Sequence, residues 1–191
     1  GAGTDEEQNC QPGIDLYFST FVKSMGSIGA FIAGPKNVLN YLRYNTRSQI
    51  FAKSLPMLVV EGMLKRMEML KTMPELREKL WTITRGLQNG LRERGFDLGK
   101  TNTMVTPVYM KGDVPEATAM VLDLRENYNK FCSIVVYPVI PKGQIIYRLI
   151  PTAAHSAEDI ELTLKAFSET KAKLDAGAYK AAEIPDMAEA M

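Results

Sequence analysis

The hydrophobic pattern of residues 103–176 spells strand, helix, strand, strand, helix, and no other stretch limits the possible fold as strongly. Met104-Val-Thr-Pro-Val-Tyr-Met110 reads as a strand, and Pro107 argues for an edge position or an irregularity, because proline cannot donate to a central ladder. Pro115 to Phe131 reads as a helix carrying Ala117, Met120, Val121 and Leu124. Ser133-Ile-Val-Val-Tyr137 is the most β-prone run of the chain. The turn-rich loop Pro138-Val-Ile-Pro-Lys-Gly143 separates it from a further strand, Gln144 to Ile150. Ser156-Ala-Glu-Asp159 resembles a capping box with an acid in place of the usual Glu or Gln. It opens a helix through Ile160, Leu164 and Phe167 towards Leu174. Strands and helices in this order predict a two-layer α+β unit with one sheet covered by helices.

The preceding residues follow a different pattern. Residues 1–13 read as loop, Ile14 to Thr20 as a short strand, and Gly29 to Gly34 as a second. A Gly-x-x-Gly turn between them sets Lys23 at one end of a sheet. Val38, Leu39 and Leu42 share a helical face after Pro35, and a connector runs from Asn45 to Pro56. Pro56 opens a helix to Met73, and Pro74 opens another that stops at Arg94-Gly95. Residues 1–46 hold too few strands for a self-sufficient domain. The division expected is 1–55, the edge of a larger sheet; 56–98, connecting helices; 99–180, the small α+β domain; and 181–191, a loose tail. The acidic, glycine-rich start without an initiating methionine makes a fragment or processed chain the expectation.

A formal net charge of +1 over 191 residues gives no electrostatic case for nucleic acid or an anionic membrane. No apolar run approaches the roughly 20 residues of a membrane span. Cys10 and Cys132 lie far apart without metal-ligand spacing. Free thiols in a reducing compartment, and hence a cytoplasmic location, are favoured; a disulfide stays open.

Two cations stand out. Lys23 follows Ser19 and Thr20 and is followed by Ser24, Gly26, Ser27 and Gly29. Small residues let a backbone pass close to a bound group, hydroxyls and backbone N–H groups suit an anion, and such a lysine is a candidate for Schiff-base chemistry. Arg148 lies in an apolar strand just after the proline-rich loop, where its guanidinium could grip a carboxylate in a bidentate manner. Taken singly, each reads more simply as a solvent-facing cation. His155 is the only histidine, so no Ser-His-Asp triad or His pair can be drawn from other positions, and beside Ser156 it reads as a structural turn residue. Phosphate-loop and dinucleotide glycine motifs are absent from the sequence.

Three stretches together resemble the α-oxoamine synthases, pyridoxal-phosphate enzymes of aminotransferase fold type I. They are Ser19-Thr-Phe-Val-Lys-Ser-Met-Gly-Ser-Ile-Gly-Ala30, Ile50-Phe-Ala-Lys-Ser-Leu-Pro-Met57, and the run from Tyr137-Pro-Val-Ile-Pro-Lys-Gly143 through Tyr147-Arg-Leu-Ile-Pro-Thr152 to His155-Ser156. The resemblance covers about residues 14–175 and implies an α/β to α+β chain. It would be the C-terminal part of a fold type I enzyme: an edge of the large-domain sheet, two linking helices, and a small domain with an antiparallel sheet. It further implies that Lys23 carries pyridoxal phosphate and moves the reaction's proton, that Thr20 binds the cofactor's phosphate, and that Arg148 holds the substrate carboxylate. The implied reaction is a decarboxylating condensation of an amino acid (serine, or glycine or alanine) with an acyl-coenzyme A, in a homodimer. Within the family the chain looks most like bacterial serine palmitoyltransferases. 2-Amino-3-ketobutyrate coenzyme A ligase, 8-amino-7-oxononanoate synthase and a non-catalytic accessory subunit are the alternatives. Val22 and Ala52 depart from the serine or threonine usual in the family's motifs. The family's aspartate for the pyridine nitrogen and its ring-contacting histidine lie N-terminal to the lysine, so this chain alone is expected to bind cofactor poorly and turn nothing over.

Overall fold

The structure is a computed structural model that describes residues 3–52 and 54–180; the tail expected at 181–191 lies outside the described residues. The chain divides into two compact units, residues 1–74 and 75–191.

In the first unit, a short helix α1 (Thr4–Glu7) and a 3-10 turn (Gln11–Gly13) occupy the stretch expected to be loop. A two-stranded antiparallel hairpin follows, β1 (Tyr17–Thr20) and β2 (Ala30–Ala33), with Tyr17 opposite Ala33 and Thr20 opposite Ala30. Gly34 is small for a reason, since a Cβ there would come within 2.5 Å of the Leu16 side chain. Helix α2 (Lys36–Asn45) begins directly after Pro35, whose fixed φ suits a helix entry. The expected connector contains a further short helix, α3 (Arg47–Phe51), because Thr46 interrupts α2 in extended geometry and the chain then turns helical again. Helix α4 (Met57–Thr72) starts after Pro56 and ends before Pro74, as the prolines dictate. Among the described residues of this unit only Met63 is buried.

The second unit carries a complete core. Helix α5 (Pro74–Glu93), strand β3 (Thr106–Met110), helix α6 (Val114–Tyr128), strands β4 (Ser133–Val135) and β5 (Ile145–Leu149), and helix α7 (Ala157–Asp175) follow the order read from the pattern. The sheet order is β3-β5-β4, antiparallel throughout. Pro107 therefore sits on an edge strand, where its missing N–H costs no central ladder bond. The pleat sends Ile145, Tyr147 and Leu149 of β5 into the core and leaves Arg148 on the other face.

Leu91 from α5, Val108 from β3, Met120 and Leu124 from α6, and Leu164 and Phe167 from α7 close the core. Phe167 meets both Phe96 and Tyr147 edge-on, with ring centroids 6.0 and 6.3 Å apart. Gly90 lets α5 approach α7 closely: a Cβ there would lie 2.4 Å from Leu164. Both long caps are reciprocal. Asp113 accepts from the Glu116 N–H while the Glu116 carboxylate accepts from the Asp113 N–H, and Ser156 and Asp159 do the same for α7. Hydrogen bonds from Ser156 hold the Asp159 carboxyl below the usual carboxylate range.

Candidate functional site

The hairpin of the first unit places Lys23. Its strands end at Thr20 and Ala30, and the connecting loop folds back through Phe21 N–H to Gly29 C=O (2.9 Å) and Ser27 N–H to Phe21 C=O (2.9 Å). Lys23 opens a tight turn closed by Gly26 N–H to Lys23 C=O at 3.0 Å. Gly26 takes φ +54° and Gly29 φ +98°, backbone that other residues adopt only under strain. At Gly29 a Cβ would also meet Leu55 at 2.8 Å, so this glycine is required twice over. The Lys23 side chain is exposed, and its ammonium has no hydrogen bond or ion pair among the described residues. Thr20 is half-buried at the end of β1, and Ser24 and Ser27 share the loop.

One hairpin loop thus carries an amine, the hydroxyls of Thr20, Ser24 and Ser27 at or beside its ends, and two glycines at positive φ. It suits a phosphate joined to a group that an amine can bond covalently. Thr20 closes β1, and Lys23 lies three residues further on, in the loop that follows.

Arg148 stands in the second unit, on the exposed face of β5, the middle strand of its sheet. Its Nε donates to Ser133 Oγ on β4 at 3.2 Å. Sequence reading missed Ser133. The pairing of Ser133 with Arg148 across β4 and β5 would have pointed to it, but register is not written in single-strand propensity. The loop ahead of β5 carries Lys142, whose Nζ lies 5.0 Å from the centre of the Tyr137 ring.

His155 keeps the structural role expected of it. Its Nδ1 accepts from the Thr152 N–H at 2.9 Å, within the turn between β5 and α7. Asp159 is engaged in its helix cap. Among the described residues no cluster of His, Cys, Asp and Glu could hold a metal ion, and no helix is long and apolar enough to cross a membrane. Each unit also has an open groove. One, of about 430 Å³, is lined by Phe18, Phe31, Leu39 and Arg43; the other, of about 340 Å³, by Lys130, Phe131, His155 and Asp159. Lys23, Thr20 and Arg148 line neither.

Comparison with known proteins adds a family. The description Aminotransferase class I and II matches residues 2–167. A cysteate-C-fatty acyltransferase of Capnocytophaga ochracea is 62% identical over 95% of this chain and 43% of its own length. A serine palmitoyltransferase of Sphingobacterium spiritivorum is 34% identical over 84% of this chain and 40% of its own. Among solved structures, an SPT with pyridoxal phosphate as its internal aldimine superposes with a TM-score of 0.79 at 30% identity. That match covers 88% of this chain and 42% of the other. The chain spans less than half the length of the curated relatives it matches. These relatives are acyltransferases by name, and the expected C-terminal part of a fold type I enzyme agrees with the structural match. The preference for serine palmitoyltransferase over its sister activities is not upheld at that level of detail, because the 62% relative carries a different acceptor in its name.

Proposed function

The chain belongs to the aminotransferase class I and II family, and on that premise we propose that it is the C-terminal part of a pyridoxal-phosphate-dependent C-acyltransferase. In this reading the whole enzyme joins an acyl thioester of coenzyme A to an amino acid with loss of CO₂. The observation that supports the proposal is the Lys23 loop, an exposed amine on the glycine-bearing turn that follows Thr20, inside a stretch matched to the family. When bound, pyridoxal phosphate supplies an electron sink for negative charge at the amino-acid α-carbon.

This chain's own residues do the rest. Lys23 holds the cofactor through Nζ and afterwards carries a proton on the same nitrogen. The Thr20 hydroxyl donates to the phosphate, with the Gly26–Gly29 backbone leaving room. Arg148 binds the substrate carboxylate, a planar fork on a planar anion, and so fixes which bond of the α-carbon is presented. Residues 1–55 then end the large cofactor-binding domain, 56–98 connect, and 99–180 form the small domain. The working unit is a homodimer. Two free cysteines fit a reducing, cytoplasmic setting.

The acceptor favoured is cysteate with a fatty acyl donor, on the 62% identity to a protein of that name. Serine, as in the serine palmitoyltransferases, is the competing outcome. The test uses the full-length enzyme. Added pyridoxal phosphate is expected to give the visible band of a lysine-bound cofactor, and Lys23→Ala to abolish that band and lower turnover by about 10²–10⁴-fold. A band that survives the substitution overturns the assignment. Turnover measured with cysteate, serine, glycine and alanine then sorts the acceptors, and a preference for serine overturns the cysteate reading alone.

A further inference from the structure

Arg148 is exposed, and an exposed arginine wanders among many rotamers unless something holds it. Its two cross-strand neighbours are unequal. Pro107 on β3 offers no polar side-chain atom, whereas Ser133 on β4 lies directly opposite and accepts from Nε at 3.2 Å. Neither Nη nitrogen has a hydrogen bond or ion pair among the described residues. A guanidinium can clamp a carboxylate through its Nε–Nη side or through its two Nη nitrogens. Occupation of Nε removes the first choice.

We propose that Ser133 is a positioning residue for substrate binding: by holding Nε of Arg148 it presents the two Nη nitrogens as the carboxylate-binding edge. The inference rests on the reading of Arg148 as the carboxylate clamp. Fixing the side chain before substrate arrives reduces the ordering that binding must otherwise impose, so the benefit falls on amino-acid affinity and leaves the acyl donor alone.

The experiment compares Ser133→Ala, Ser133→Thr and Arg148→Ala in the full-length enzyme. It measures KM for the amino acid, KM for the acyl-coenzyme A, kcat, and the equilibrium dissociation constant of the amino acid without acyl donor. Ser133→Ala is expected to raise the amino-acid KM and dissociation constant about tenfold, with kcat and the acyl-donor KM within about twofold. Ser133→Thr, which keeps the hydroxyl on a strand-compatible side chain, is expected to restore both values to near wild type. Unchanged amino-acid binding in Ser133→Ala, with a large loss in Arg148→Ala, overturns the inference and leaves the role of Arg148 standing. Unchanged binding in Arg148→Ala overturns the clamp itself. A Thr variant as defective as Ala, or a loss that falls equally on both substrates, assigns Ser133 to general structure and also overturns the inference.

Discussion

The first unit holds Lys23 and, among its described residues, has one that is buried, Met63, whereas the second holds Arg148 and a core joining three strands to three helices. The strands of the first unit leave Phe18, Phe31 and Ile32 exposed, and α2 leaves Tyr41 and Tyr44 exposed. A two-stranded hairpin cannot bury both of its faces, and burial is where folding free energy comes from. The second unit has enough strands to cover one face with α5, α6 and α7. The proposed chemistry is therefore split. Lys23 sits on a hairpin whose loop depends on two glycines at positive φ and which is poor in core, while Arg148 sits on a sheet whose other face is packed against helices.

The sharpest way to break this contrast is to remove one large side chain from each unit. Phe167→Ala, which opens a hole at a fully buried ring, is expected to lower the stability of the second unit by about 3–5 kcal/mol in urea unfolding. Phe31→Ala, at 43% exposure, is expected to stay within about 0.5 kcal/mol. Comparable losses at the two positions would end the comparison.

A gentler probe uses the two cysteines, one in each unit. Burial pushes the Cys132 thiol up to about 11, while Cys10 is exposed. A two-unit rise reduces the thiolate at pH 8 about a hundredfold. Timed alkylation followed by mass spectrometry of peptides is expected to label Cys10 rapidly and Cys132 only once urea unfolds the second unit. Equal labelling rates in native buffer would show that the core is open.

The smallest effect concerns how the end of α7 is fastened. Asp123 on α6 accepts from Lys173, Tyr179 and Asn127, and the Lys173 ammonium also lies 5.2 Å from the Tyr128 ring centre. Partial burial pushes the Asp123 carboxyl up, but these hydrogen bonds outweigh it and hold it below its ordinary value. A carboxyl depressed in the folded state stabilises above its unfolded value, near 3.8, and loses that contribution as pH falls through the folded one. The second unit is thus expected to weaken as pH drops below about 4, and Asp123→Asn to flatten that part of the profile. Thermal melts between pH 7 and pH 2.5 read both. An unchanged slope in the variant would mean that other carboxylates carry it.

Much of this was legible in the chain. Pro35, Pro56 and Pro74 mark helix entries, Ser156 and Asp159 mark a cap, and the alternation in Ile145 to Leu149 marks a half-buried strand; each signal is local. The same holds for Lys23 among serines and glycines. The helices at Thr4–Glu7 and Arg47–Phe51 were not legible, because four or five residues are too few for periodicity to register. Nor was Gly90 as the contact point of α5 and α7, since a lone glycine inside a helix announces only a cost until its neighbour is known.

By itself the sequence determined the longer elements, their order, and the residue types offered as candidates for chemistry, since periodicity, caps and turn residues act over a few positions. The tertiary structure decided which of those elements share a core. It also decided that Arg148 faces away from it, because the pleat has to give Tyr147 and Leu149 to the helices. Ser133 stands across from Arg148 only through the register of β4 on β5, a relation between residues 15 apart in the chain that no local pattern carries.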